Sequence, residues 1–256
     1  MAPRFETRLA QSDQDLQNAQ RLRYRVFVKE FGSDGPLVDH QAELERDDYD
    51  AHYDHILLID RDKPSDDLGK VVGAYRVLPS DRLPQVGKFY TEAEFDLSPL
   101  LALQRKSLEL GRSCLLPEYR GGAALYHLWA AVTDYIRRYD IQILFGVASF
   151  HGTETDHHKT ALAAVFDRYM APHHLRVQAI GPSAIAADQF LGGAIDTSAM
   201  AQVPALIKAY LRLGGFVGDG VFVDYAFNTT DVCLILDVEY LNQKQVEMFS
   251  KMATVL

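Results

Sequence analysis

Cysteine and tryptophan are scarce in this chain of 256 residues. The two cysteines, Cys114 and Cys233, lie in apolar runs typical of strands, and the single tryptophan is Trp129. A small scaffold held together by disulfides needs many more cysteines, so that class is excluded. We expect two buried free thiols in a reducing compartment, with one disulfide as the alternative.

Long apolar runs are absent as well. No segment approaches the roughly eighteen uninterrupted apolar residues of a membrane-spanning helix. The first six residues, MAPRFE, contain no apolar signal core. We therefore expect a cytoplasmic protein whose contact with the inner face of the cytoplasmic membrane, if it has one, is peripheral.

Positive charge is in deficit. Lysine and arginine together number 26 against 35 acidic residues, which gives a formal net charge of -9 and disfavours non-specific binding to nucleic acid. Hydrophobic residues make up 48% of the chain and charged residues 24%. These fractions are ordinary for a globular protein and exclude a disordered chain.

Apolar periodicity predicts a mixed α/β architecture. Ser12 is typical of a helix N-cap, and Leu16, Ala19, Leu22 and Val26 follow it at helical spacing. Further helices are predicted over 121–139, 156–169, 204–213 and 241–252, strands over 5–9, 55–60, 70–78, 107–115, 141–150, 173–180, 221–227 and 232–238, and a long loop over 181–202. This order indicates a single α/β (or α+β) domain over 1–256 with a mixed central sheet flanked by helices, which residues 181–256 complete.

The stretch 108–122, LELGRSCLLPEYRGG, predicts a strand, a Pro/Gly loop and the start of a long helix. Glu109 and Arg112 are ionisable residues inside the strand, and the loop ends in Arg120, Gly121 and Gly122. Backbone N–H groups at the start of a helix suit an anion. We therefore interpret this stretch as the centre of the functional site.

Two other charged regions are candidates for the same site. The first helix carries Arg23, the acidic loop after it includes Glu45, Asp47 and Asp50, and Arg76 interrupts an apolar strand. By composition alone, a solvated helix face and a solvated loop are the simpler interpretation. The alternative is a carboxylate cluster that faces the arginines and binds an ammonium group.

The histidines do not predict a metal site. His151, His157 and His158 lack the spacing of a familiar ligand set. We therefore expect no metal ion.

The order of strand, loop with Arg120, Gly121 and Gly122, amphipathic helix and apolar strand resembles the GCN5-related N-acyltransferase (GNAT) fold. The resemblance implies that the loop and the helix N-terminus hold the phosphate of an acyl donor. This loop lacks the later glycines of the coenzyme A pattern, which allow a backbone to wrap a pyrophosphate closely. A phosphopantetheine arm on acyl-carrier protein, with its single phosphate, is therefore the expected donor, and we expect no bound cofactor.

A wider set of residues resembles the charged set of N-acyl-homoserine lactone synthases. Its members are Arg23, Phe27, Asp47, Asp50, Arg76, Glu109 and Arg112. Those synthases carry a tryptophan soon after the phenylalanine, whereas this chain has none there. The segments ELGRSC (109–114), LFGVASFHG (144–152), AYLRLG (209–214) and FNTTDV (227–232) are similar to bacterial L-ornithine N-alpha-acyltransferases, with a resemblance that runs from about residue 5 to 240.

That resemblance implies transfer of a 3-hydroxyacyl group from acyl-carrier protein to the α-amino group of L-ornithine, which gives lyso-ornithine lipid. Glu109 and Arg112 are then the expected catalytic residues, with Glu109 as general base. The expected substrate-binding residues are Arg23, Phe27, Asp47, Asp50 and Arg76, and the expected donor-phosphate loop is Arg120, Gly121 and Gly122.

Several alternatives stay open at this point. Glu109 could instead orient an arginine or pair with Arg112, and the other charged residues could form an internal ion-pair network that never touches substrate. The chain could also be a lactone synthase that uses S-adenosylmethionine, an acetyltransferase that uses acetyl-CoA, or a non-catalytic module that binds acyl-carrier protein or lipid.

Overall fold

A computed structural model describes residues 4–35, 38–121, 123–192 and 198–241. The described strands are β1 Phe5–Leu9, β2 Val38–Asp39, β3 Leu44–Glu45, β4 Asp54–Asp60, β5 Val71–Pro79, β6 Phe95–Asp96, β7 Ser107–Leu115, β8 Ile143–His151, β9 Gln178–Ala179, β10 Ala184–Ile185, β11 Phe216–Val217, β12 Val221–Asp224 and β13 Thr229–Asp237. The α-helices are α1 Asp13–Arg23, α2 Leu83–Val86, α3 Ser98–Leu101, α4 Ala123–Tyr139, α5 Lys159–Tyr169, α6 Ala199–Gln202 and α7 Ala205–Arg212. A π-helical segment, Tyr24–Glu30, continues α1.

The chain divides into two compact units, which are described separately. The first comprises residues 4–78 and Leu110–Asp140, and the second comprises Pro79–Glu109 and residues 141–241. Strand β7 contributes its first three residues to the second unit and its last six to the first. The expectation of a single domain stays a prediction.

Antiparallel strands form the sheet of the first unit. Strand β1 pairs with β4 from Phe5 opposite Asp60 onwards, and β4 pairs with β5. The Leu116 N–H, just after β7, donates to the Val72 carbonyl of β5 at 3.0 Å. Helix α4 packs on β1 and β4. Ser12 caps α1 as predicted, since its hydroxyl accepts the Asp15 N–H at 3.2 Å.

The sheet of the second unit is mixed. The first residues of β7 pair in parallel with β8, which pairs antiparallel with β13 over nine residues. Strand β13 also pairs with β11 and β12, and β12 pairs with β10. Helix α7 packs on β8 and β13. The predicted mixed α/β fold class is thereby confirmed.

Two sequence predictions are wrong in this unit. The strand predicted over 173–180 is a 3₁₀ turn, His173–Leu175, followed by the two residues of β9. The predicted loop over 181–202 contains β10, a 3₁₀ turn at Ala187–Gln189 and α6, while residues 193–197 lie outside the described ranges. The helix predicted over 241–252 also falls outside them, apart from Leu241.

Across the described ranges, no helix has both the length and the apolar content needed to cross a bilayer.

Candidate active site

Arg23 is the last residue of α1, and its guanidinium is almost fully buried in the first unit. It forms a bidentate pair with Asp50, with Nη1–Oδ1 at 2.8 Å and Nη2–Oδ2 at 2.5 Å. Its Nε lies 2.6 Å from Glu45 Oε2. A buried guanidinium needs such partners because its charge has lost the stabilisation of water.

Arg76 lies in the middle of β5, where every residue is buried. Its Nη1 lies 2.5 Å from Asp47 Oδ1 and 2.8 Å from Asp50 Oδ1. The ring of Tyr53 lies 4.6 Å from the guanidinium carbon and adds a cation–π contact. The charge that interrupts this apolar strand is therefore paired internally.

Arg112 completes the arrangement from β7. Its φ of 50° is in the left-handed region, which a non-glycine residue adopts rarely and at a cost. Nε lies 3.2 Å from Glu45 Oε1, and Nη2 lies 3.2 Å from Asp47 Oδ2. These two contacts are longer than those of Arg23 and Arg76.

Together these side chains form a closed ring in which arginines and carboxylates alternate. In order around it, the charge ring consists of Arg23, Glu45, Arg112, Asp47, Arg76 and Asp50. Its formal charges cancel. Four members have side chains that are 1–4% exposed, whereas Asp47 is 8% and Arg112 is 11% exposed. The Asp47–Arg112 pair is therefore the most accessible edge of the ring.

Glu45 is the one ring member outside the expected catalytic and substrate-binding residues, although it lies in the acidic loop that the sequence offered as a carboxylate cluster. It opens the same acidic segment as Asp47 and Asp50, which was the only available signal. Its contacts are with Arg23 and with Arg112, 67 residues away, and sequence spacing cannot reveal such pairs.

Asp50 holds the ring together through four hydrogen bonds. Oδ1 accepts from Arg23 and Arg76, and Oδ2 accepts from Arg23 and from Gln20 Nε2 at 3.0 Å. Burial disfavours the charged carboxylate, but the hydrogen bonds and charge of Arg23, helped by Arg76, hold the Asp50 pKa well below its usual range. A carboxylate offers about four acceptor positions, and these four bonds match that number.

His55 supports the acidic segment as a neutral donor. Its Nε2–H donates to the Asp50 carbonyl oxygen at 2.9 Å. Burial lowers the His55 pKa, and the charges of Arg23 and Arg76 lower it further. The imidazole is therefore uncharged at neutral pH.

Phe27 lies in the π-helical segment that follows Arg23, and its side chain is half-buried. Segments of π-helix are rare and often occur at functional sites. The predicted contact of Phe27 with substrate stays a prediction.

Glu109 belongs to the second unit, where it is buried. Its carboxylate accepts the Thr91 N–H at 2.7 Å and the Tyr90 N–H at 3.1 Å, one on each oxygen. These bonds fix the orientation of the carboxylate over the first turn of the 3₁₀ segment Tyr90–Ala93. Its role as general base stays a prediction.

The predicted donor-phosphate loop is described only in part, because Gly122 lies outside the described residues. Gly121 has a φ of 74°, which favours glycine, and a Cβ there would meet nothing within 4 Å. Arg120 pairs with Glu30 through two hydrogen bonds of 2.5 and 2.7 Å.

Cys114 is buried, and burial raises the pKa of its thiol to about 12. A thiol at that pKa supplies almost no thiolate at neutral pH, so Cys114 is a core residue, as the sequence indicated.

The second unit also holds a group of three carboxylates that the sequence did not identify. Oxygen atoms of Glu94, Asp224 and Asp231 all lie within 4.8 Å of one another. Asp224 accepts hydrogen bonds from the backbone N–H groups of Ala226 and Phe227, and these two bonds partly stabilise its negative charge. The histidines considered as metal ligands are not members of this group.

Replacing Asp50 should strongly destabilise the protein. Asp50→Asn removes one negative charge and leaves the buried Arg23 and Arg76 with an uncompensated positive charge, which typically costs about 3–5 kcal/mol. Urea unfolding followed by circular dichroism measures the loss. Asp67→Asn is the matched control, because Asp67 is 46% exposed and pairs with the partly exposed Arg25, so its loss should stay below about 1 kcal/mol. Equal losses in the two variants would contradict the structural role of the ring.

Replacing His55 should flatten the pH dependence of stability between pH 7.5 and 5.5. The folded-state pKa is depressed, so the unfolded chain takes up a proton first and stability falls as pH drops through about 6.5, with a slope of up to about 1.4 kcal/mol per pH unit. His55→Gln keeps an N–H donor and removes this titration. The free energy of unfolding at several pH values tests it, with the exposed His174→Gln variant keeping the wild-type slope.

Comparison with known proteins identifies the family. A family model described as an acetyltransferase (GNAT) domain matches residues 22–130. An L-ornithine N(alpha)-acyltransferase of Rhodobacter capsulatus is 50% identical over 248 residues, 96% of this chain and 95% of that protein. The protein of the same name from Brucella abortus is 35% identical over 249 residues, which are 96% of this chain and 88% of that protein.

Solved structures show the same fold at lower identity. The CoA-dependent acyl-homoserine lactone synthase MesI superposes with a TM-score of 0.51 at 14% identity, over 98% of this chain and 96% of its own. The CoA-dependent acyl-homoserine lactone synthase BjaI gives a TM-score of 0.50 at 15% identity, over 95% of this chain and 83% of that chain. The sequence similarity to these relatives extends over nearly the whole chain. We conclude that the protein is an N-acyltransferase with a GNAT domain and that it belongs to the family of bacterial L-ornithine N(alpha)-acyltransferases.

Proposed function

We propose that the protein transfers a 3-hydroxyacyl group from acyl-carrier protein to the α-amino group of L-ornithine and so produces lyso-ornithine lipid. The assignment of ornithine as acceptor is supported by the 50% identity, over nearly the whole chain, to a relative whose name specifies L-ornithine and its α nitrogen. The acyl donor and the lipid product come from the loop sequence and from the family resemblance.

The Asp47–Arg112 edge of the charge ring fits the amino-acid head of ornithine. Arg112 is the most exposed of the three ring arginines and has the longest contacts. It can therefore turn to a substrate carboxylate at the lowest cost and bind it in bidentate fashion. Asp47 would then exchange part of its pairing for the ammonium group of the same substrate, and the charge balance of the ring would be preserved.

The buried side of the ring acts as the frame for that edge. Asp50 already accepts four hydrogen bonds, and Arg23 and Arg76 are almost fully buried. We therefore assign Asp50, Arg23 and Arg76 to the support of Asp47 and Arg112. This replaces the expectation that they contact ornithine directly.

The reaction needs a neutral amine. The α-ammonium group first loses a proton, and its nitrogen then attacks the thioester carbonyl carbon. A C–N bond forms, the C–S bond breaks, and the phosphopantetheine sulfur leaves as a thiolate that regains a proton. The nitrogen gives up its second proton as the amide forms. Glu109, oriented by two backbone N–H bonds, is our candidate for the first proton acceptor.

The donor assignment has its basis in the loop between β7 and α4. A single phosphate needs fewer close backbone approaches than the pyrophosphate of coenzyme A, and the glycine content of this loop is correspondingly low. Acyl-carrier protein is thus the proposed partner, and the phosphopantetheine arm is a substrate group that leaves with it. A peripheral membrane contact, where the lipid product would be released, remains an expectation.

The assay that tests this function supplies purified protein with 3-hydroxyacyl-carrier protein and one acceptor at a time. With ornithine we expect a lipid-like, ninhydrin-positive product with the mass of 3-hydroxyacyl-ornithine. With S-adenosylmethionine, or with no acceptor, we expect none. An acyl-homoserine lactone would identify a lactone synthase instead, and transfer from acyl-CoA but not from carrier protein would refute the donor assignment.

Arg112→Lys should weaken recognition of the ornithine carboxylate. Lysine keeps the positive charge but cannot form a bidentate pair, so kcat/KM for ornithine should fall about 10- to 100-fold. The acceptor 1,4-diaminobutane, which is ornithine without its carboxylate, is the internal control. The wild type should strongly prefer ornithine over this amine, and Arg112→Lys should reduce the preference by the same factor. An unchanged preference would show that Arg112 does not bind the carboxylate.

A further inference from the structure

The segment 116–121, which we name the donor loop, connects β7 to α4 within the first unit. It contains a 3₁₀ turn, Pro117–Tyr119, and ends at Gly121. The Tyr119 N–H donates to the Leu116 carbonyl and the Arg120 N–H to the Pro117 carbonyl, at 2.9 and 3.1 Å. Such a short turn needs additional contacts if it is to hold one shape in the absence of a ligand.

The side chain of Arg120 provides one set of such contacts. Its Nη1 and Nη2 atoms donate to the two carboxylate oxygens of Glu30, and its Nε and Nη2 atoms donate to the Leu115 carbonyl at 3.1 and 3.0 Å. The Phe31 ring lies 5.4 Å from the guanidinium carbon. All three nitrogens thus donate to protein acceptors, and the guanidinium joins the donor loop to the end of the π-helical segment.

Tyr119 provides a second link. Its hydroxyl donates to Asp60 Oδ2 at 2.8 Å, and Asp60 is held in turn by Arg4 at 2.8 Å. Burial and the neighbouring Asp60 carboxylate raise the pKa of Tyr119 to about 12, so the phenol remains a donor at neutral pH. The Tyr119 ring also packs against Phe5 edge to face. Two independent contacts therefore fix adjacent residues of the loop.

We propose that Arg120 and Glu30 are positioning residues that hold the donor loop in its binding shape, and that Arg120 is not itself a ligand of the donor phosphate. A carboxylate within 2.7 Å of the guanidinium repels a phosphate at the same place. The phosphate would instead meet backbone N–H groups of the donor loop, whose shape is held by the Arg120–Glu30 pair, which we name the clamp. This changes the role that the sequence assigned to Arg120, and its kinetic consequences rest on the proposed function.

The sign of one substitution separates the two roles. If Arg120 is a positioning residue, Glu30→Gln releases the loop and raises the KM for 3-hydroxyacyl-carrier protein about tenfold, equivalent to about 1.4 kcal/mol. If Arg120 binds the phosphate, Glu30→Gln removes a competitor and leaves that KM unchanged or lowers it. Because the pair is about one-third exposed, at 37% for Arg120 and 31% for Glu30, the protein should stay folded.

Three further variants complete the experiment. Arg120→Gln should raise the donor KM at least as much as Glu30→Gln does, because it also removes the bonds to the Leu115 carbonyl. The double variant should be no worse than Arg120→Gln alone, because both changes remove the same ion pair. In Glu30→Gln, Arg120→Gln and the double variant, kcat and the KM for ornithine should change less than about twofold. Glu6→Gln is the matched control, since Glu6 forms a 3.0 Å pair with Arg61 at a similar exposure of 35% and 40%, and it should leave the donor KM unchanged.

Hydrogen exchange tests the clamp without any substrate. The amides of Tyr119 and Arg120 should exchange faster in Glu30→Gln and Arg120→Gln, and at the wild-type rate in Glu6→Gln. If the wild type transfers nothing from carrier protein, the proposed function fails and exchange alone decides whether the clamp exists. Unchanged exchange in both clamp variants, or a donor KM that rises only in Arg120→Gln, would overturn the proposal.

Discussion

Six charges, four of them buried and two partly exposed, must balance one another in the first unit, and much of its local structure depends on this requirement. Burying a single guanidinium or carboxylate costs several kcal/mol, so each member of the charge ring is tolerated only while its two neighbours are present. The ring therefore ties together the end of α1, the acidic segment and strands β5 and β7, which are distant in sequence. The acidic segment is also held by its own backbone, because Asp47 accepts the Tyr49 N–H at 3.0 Å and the Asp50 carbonyl accepts from His55.

The ring is uneven, and the role proposed for its Asp47–Arg112 edge follows from this unevenness. On one side Arg23, Arg76 and Asp50 are buried with short contacts, whereas Asp47 and Arg112 are more exposed and share a 3.2 Å contact. Arg112 also adopts a φ of 50°, a conformation that costs about 1–2 kcal/mol for a residue other than glycine. Two ion pairs offset that cost and aim the guanidinium at the ring. A rigid frame with one adjustable edge would suit the proposed recognition of a small zwitterion, because little freedom would be lost when the substrate binds.

The sequence predicted the features that depend on local pattern. The predicted bounds of β1 and β7 are confirmed, and α4, Ala123–Tyr139, ends where the predicted helix ends. Seven charged or aromatic residues were chosen by resemblance, and five of them are members of the charge ring. The other two, Phe27 and Glu109, have other surroundings. Glu45 and the pairing order around the ring depend on contacts between residues up to 67 positions apart, which no local pattern encodes. Two-residue strands such as β9 and the π-helical turn after Arg23 are likewise set by tertiary context, because propensity is weak over so few residues.

The arginines of this unit differ in role because they differ in what accepts their hydrogen bonds. Arg23 is surrounded by carboxylates that are themselves buried, so it serves as frame, whereas Arg120 meets a partly exposed carboxylate and a loop carbonyl, so it fixes backbone. Arg112 has two longer contacts to acids and suits exchange with a ligand. The same reasoning applies to Glu109. One backbone N–H on each of its oxygens fixes the carboxylate in space.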